Sequence, residues 1–173
     1  CLGVAGPSEG QDWSRFRGPN GSGLSTATKV PTDFGPGKNM RWRLALPPGH
    51  SSPILHGDYL YLNTGTGVDN THRAIRKPDS PSLVVLGKKT GRLIAREHEG
   101  IGPNIFHSTW AGPSSAVVKG QKLIFFNAGN GVVYAFEALP PGLAPEPSPR
   151  FLKKVWQFDF DPTAPKEHVQ KYN

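Results

Sequence analysis

The stretch HSTWAGPSSAVVKGQKLIFFNAGNGVVYAFE, from His107 to Glu137, decides how this chain is read, because HSSPILHGDYLYLNTGTG, from His50 to Gly67, is a weaker copy of it. Ser51, Ser52, Ile54, Leu55 and Gly57 fall on Ser114, Ser115, Val117, Val118 and Gly120 at one constant offset. After a single inserted residue, Asn63, Gly65 and Gly67 fall on Asn127, Gly129 and Gly131. Self-similarity of this kind marks a structural unit that is used more than once. Each copy holds a short apolar run, a turn centred on glycine, a β-branched and aromatic run, and then an Asn and Gly turn. Those residue types in that order predict an antiparallel hairpin.

Working outward, four strand-like runs follow Ser51, at 52–56, 59–63, 82–86 and 92–96. The second and third are separated by a polar, basic loop over 64–81, and the third and fourth by Lys88-Lys89-Thr90-Gly91, a tight turn whose glycine is free to take a positive φ. A second set of four runs lies at 114–119, 123–127, 132–137 and 155–160, with its last two members separated by the Pro-rich insertion LPPGLAPEPSPR, read as an extended surface loop. Four strands in a meander make one blade of a propeller. The expected fold is therefore all-β: a partial β-propeller with two four-stranded antiparallel blades. The run MRWRLAL at 40–46 alternates apolar and basic residues and reads as one outer strand of a further blade, with Trp42 in a context like that of Trp156.

Composition agrees with short strands and many turns. Hydrophobic residues make up 36% of the 173-residue chain, enough for a core, while 21 Gly and 18 Pro disfavour long helices. The formal charge of +7 is spread over single residues and pairs such as Arg41 with Arg43 and Lys153 with Lys154. With no dense basic tract and no nucleic-acid motif, the charge reads as solubility, and nucleic acid is not an expected partner. The one cysteine, Cys1, excludes an intrachain disulfide and a cysteine metal cluster. Cys1 followed by a small, polar, Gly-rich lead resembles a bacterial lipoprotein after signal-peptide removal, with a lipidated cysteine as membrane anchor. A cut site is the alternative. The chain divides into a flexible lead or tether at 1–11, an N-terminal segment at 12–50, blades at 51–100 and 101–161, and the start of a linker at 162–173.

The segment VVLGKKTGRLIA, from Val84 to Ala95, resembles the repeat of pyrroloquinoline quinone (PQQ) type β-propellers, in which Ala-x-Asp leads through x-x-Thr-Gly into a strand bearing Trp. Thr90 and Gly91 match, while Gly87 stands where Asp is usual and Ala95 where Trp is usual. In the second copy Trp156 matches the Trp, and Glu137 occupies the acidic place. DWSRFRGPNGSG, followed by a Trp run and HSSP, is similar to the start of bacterial PQQ-binding-like repeat proteins. The resemblance implies an extracytoplasmic protein, periplasmic or associated with the outer membrane. A propeller ring needs roughly four to eight blades, so the chain is expected to be the front part of a longer protein or to be completed by partner chains.

Two functions follow from the resemblance. The first is a non-catalytic binding or scaffolding module whose blade edges, loops or mouth receive a protein, a peptide or a small molecule. The second is part of a PQQ-dependent alcohol or sugar dehydrogenase whose active site is completed by missing blades. The residues favour the first. The dehydrogenases' adjacent cysteine pair has no counterpart, and carboxylates are sparse: Asp159 with Asp161, flanking Phe160, brings too few oxygen donors for a calcium site. No metal-ligand spacing occurs among the six histidines, so no metal site and no catalytic residue is assigned. His50 and His107, each preceding the first strand of a blade, and Trp110 are the candidate contacts for a ligand at the channel mouth.

Overall fold

Alternation in the sequence becomes alternation in burial. In YLYLN, Tyr59, Tyr61 and Asn63 are buried while the two leucines between them are half-buried, the pattern of a strand with one face on a core. The structure, a computed structural model, describes residues 12–28, 30–46, 51–64, 82–102, 110–163 and 166. It is all-β, with nine strands among the described residues arranged in two sheets.

The first sheet begins as the expected meander. β1 (Ile54–His56), β2 (Tyr59–Asn63), β3 (Leu83–Gly87) and β4 (Leu93–Arg96) pair antiparallel in order. The second sheet has β5 (Ser114–Val118), β6 (Gln121–Asn127) and β7 (Val132–Glu137), closed by β9 (Lys154–Asp159), again antiparallel throughout. The hairpin turns of the two copies correspond: Gly57 joins β1 to β2 with φ 57°, and Gly120 joins β5 to β6 with φ 79°. Both glycines sit where a side chain is disfavoured, which is why the repeat keeps a glycine there.

The two sheets share one core. Ile54, Tyr61, Val85 and Ile94 from the first cluster with Ile124, Phe126, Tyr134 and Phe136 from the second. Residues 12–14 stitch the inner strands together: Trp13 exchanges backbone hydrogen bonds with Leu55 on β1, and the Ser115 amide on β5 donates to the Ser14 carbonyl.

Two expectations are corrected. The first sheet has five strands, because β8 (Arg150–Phe151) runs parallel beside β4. The Pro-rich insertion that carries β8 is a strap across the first sheet. The Tyr61 hydroxyl accepts from the Leu139 amide at 3.0 Å, and the Tyr59 hydroxyl donates to the Pro140 carbonyl at 2.8 Å and accepts from the Leu143 amide at 2.9 Å. Leu139 and Leu143 pack against the core, and Leu152 is buried in it. Prolines carry no amide donor, so the strap is held through its remaining amides at Leu139 and Leu143 and its Pro140 carbonyl, each met by a tyrosine hydroxyl of the sheet.

The second correction concerns 40–46, which forms no strand. Met40, Leu44 and Leu46 are exposed, so the alternation reflects no buried face. Only Trp42 docks: its indole lies over Gly91, and its Nε1 donates to the Lys88 carbonyl at 3.1 Å.

Burial pushes the Tyr61 hydroxyl up to about 12, offset in part by the Leu139 amide. The folded value lies above the ordinary one, so this group's contribution to stability is complete below pH 10.0 and is lost as pH rises toward 12. Tyr61→Phe should cost about 1 kcal/mol at neutral pH by leaving the Leu139 amide without its acceptor. In a spectrophotometric titration, the phenolate signal that Tyr61→Phe removes should appear only as pH rises toward 12; its appearance near pH 10.0 in the folded chain would contradict the assignment.

Candidate functional site

A cleft of about 210 Å³ opens where the strap crosses the turn end of the first sheet. Three turns that lie far apart in the chain form it: Asp58 between β1 and β2, Gly87 to Thr90 between β3 and β4, and Gly142, Leu143 and Pro145 of the strap. Tyr59, Ile94, Leu143 and Pro145 give it an apolar lining, with Lys88, Lys89 and Thr90 along one side.

Most polar groups around it already hold the turns in place. Asp58 accepts from the Gly142 amide through Oδ2 at 3.1 Å, and the Lys88 ammonium donates to the Gly57 carbonyl at 2.7 Å. The Thr90 hydroxyl accepts from the Arg92 amide at 3.3 Å. Lys89, which also lines the cleft, is exposed. The arrangement suits recognition of something partly apolar bearing negative charge.

A second cluster closes the opposite end of the first sheet. Glu97 is buried, and its two carboxylate oxygens accept from the Ser82 amide and the Glu99 amide, each at 2.7 Å. Burial raises its pKa above the usual carboxylate range, with the two amides opposing that rise. The carboxylate fastens the entry to β3 to the exit of β4, as a structural clasp would. Nearby, the Phe151 ring on β8 stacks with His98 at 4.3 Å, and the Arg96 guanidinium lies 5.5 Å from its centre.

Among the residues expected to face a ligand, Trp110 is described and is 65% exposed just ahead of β5. His50, His107 and Cys1 lie outside the described residues, so the expected grouping at a mouth and the lipid site are not on view. The cleft residues were not singled out because they converge across long separations. Gly142 meets Asp58 across 84 positions, and only the turn signals of KKTG and PPG mark the two sides.

Among the described residues no group of three or more His, Cys, Asp or Glu is placed to hold a metal ion. Asp159 accepts from Lys166, and the Asp161 carboxylate accepts from the Thr163 amide and hydroxyl, so this pair serves its own turn. Among those residues, too, no helix is long and apolar enough to cross a membrane. Compared with protein-family models, with curated proteins and with solved structures, the chain matches none.

Proposed function

We propose that the two sheets are neighbouring blades of a PQQ-type β-propeller and that the protein works outside the cytoplasm as a binding or scaffolding module for a protein or peptide. The blade assignment is supported by the two equivalent antiparallel meanders and by Trp42 lying over Gly91, within the one stretch that carries the repeat's Thr-Gly pair. Apolar side chains left on the outer face of the second sheet, among them Val118, Trp156 and Phe158, are the surface a third blade would cover.

The observation that carries binding over catalysis is the cleft. It is concave and apolar, with a basic rim, and its acid Asp58 is occupied in holding a turn. The described residues do not fit PQQ with its calcium ion: the chain's single cysteine cannot form the family's disulfide, and no carboxylate cluster is at hand to ligate the ion.

The protein should show no quinone absorbance change and no dye-linked oxidation of alcohols or sugars when titrated with PQQ and Ca²⁺. Turnover with either substrate class would replace the binding assignment with the dehydrogenase.

A further inference from the structure

The outer edge of β9 has a sequence that complements itself. The strand and its flanks read Lys153-Lys154-Val155-Trp156-Gln157-Phe158-Asp159-Phe160-Asp161, basic at the start, apolar in the middle and acidic at the end. β9 closes the second sheet, and among the described residues no strand pairs with its far side. Val155, Trp156, Phe158 and Phe160 are all substantially exposed, so this is an edge of the kind that invites strand addition. The equivalent edge of the first sheet, the far side of β4, already carries an added strand, β8.

We propose that β9 pairs antiparallel with β9 of a second copy of this chain, joining two four-stranded sheets into one across a two-fold axis. The hydrogen-bonding direction sets the register. The Phe160 amide donates inward to the Gly131 carbonyl, so by alternation the amides of Phe158 and Trp156 also point inward and that of Gln157 points out. An isologous antiparallel pair places a residue opposite itself. With Gln157 on the axis, it exchanges both backbone hydrogen bonds with its twin. Trp156 then faces the second copy's Phe158, and the basic start of the strand, Lys153 and Lys154, comes to lie along its acidic end, Asp159 and Asp161, beside the intrachain bridges of Lys153 to Glu137, Lys154 to Glu99 and Asp159 to Lys166. A parallel pairing would instead stack like charges along the seam. Trp156 and Phe158 share the face that bears Phe125, whose ring centre lies 5.8 Å from that of Trp156. The cross-strand aromatic pairs therefore extend a tilted aromatic contact that already exists. The surface lies on a different element from the cleft, and this inference does not rest on the function proposed above.

Sedimentation equilibrium of the 173-residue chain, from micromolar to near-millimolar concentration, tests it. Wild type should pass from monomer to dimer. Gln157→Pro removes an outward donor without touching the bonds to β7, so it should stay monomeric with an almost unchanged melting temperature. The variant Lys153→Glu with Lys154→Glu, and the separate variant Asp159→Lys with Asp161→Lys, should each weaken self-association about tenfold or more. An equimolar mixture of those two should recover a dimer containing one of each. A wild type that remains monomeric, a dimer that survives Gln157→Pro, or a mixture that fails to pair would each overturn the proposal. If the proline variant does not fold, the charge-reversed mixture decides.

Discussion

Phe136→Ala should lower the free energy of unfolding by about 3–5 kcal/mol, the cost of removing a large ring from a core that closes only partly around the gap. Phe136 lies on β7 with no exposed surface, in the cluster that joins both sheets, and its ring is stacked 6.2 Å from that of Tyr134. The sheets meet through this cluster, so the cavity should weaken both together instead of loosening the second alone. Val117→Ala on β5 is the matched control: Val117 is 63% exposed, and its truncation should change stability by no more than about 0.5 kcal/mol. Urea unfolding of the two variants separates these cases. A loss under about 1 kcal/mol for Phe136→Ala would mean that the interior is wet or rearranges freely.

Gly91→Ala should cost about 2–4 kcal/mol from two separable sources, a left-handed backbone and a collision. Gly91 has φ 66°, where a β-carbon is strained, and an added Cβ would sit 2.5 Å from the Trp42 indole. The ring would have to leave, giving up its hydrogen bond to the Lys88 carbonyl. A double-mutant cycle resolves the two parts. In a Trp42→Ala background, Gly91→Ala should cost only the backbone share of about 1–2 kcal/mol. Equal costs in both backgrounds would show that Trp42 does not pack on Gly91 in solution, and the strongest support for the propeller assignment would go with it.

Much of the fold was legible because the two copies obey period two and place glycine at each tight turn. β2 and β7 have the expected bounds, and the other expected strands of the two meanders shift by one or two residues at their ends. What escaped reading has physical causes. β8 is two residues long inside a Pro-rich segment, so nothing local separates it from loop, and its place is set by Ala95 and Arg96 more than fifty positions earlier. MRWRLAL alternates correctly yet forms no strand, since alternation describes a face and only a partner strand supplies the hydrogen bonds. The cleft was invisible for the same reason as β8. Trp156 and Asp159 were placed correctly in a closing strand, but the outward direction of the Gln157 amide needed the register with β7.

Native-state hydrogen exchange on wild type and Phe136→Ala tests the shared core most directly. The slowest amides of β3 in the first sheet and β6 in the second should have similar opening free energies. The substitution should lower both by the same amount, equal to its effect in urea. If the β6 amides lose protection while those of β3 keep theirs, the two sheets are separate folding units and the common core is wrong.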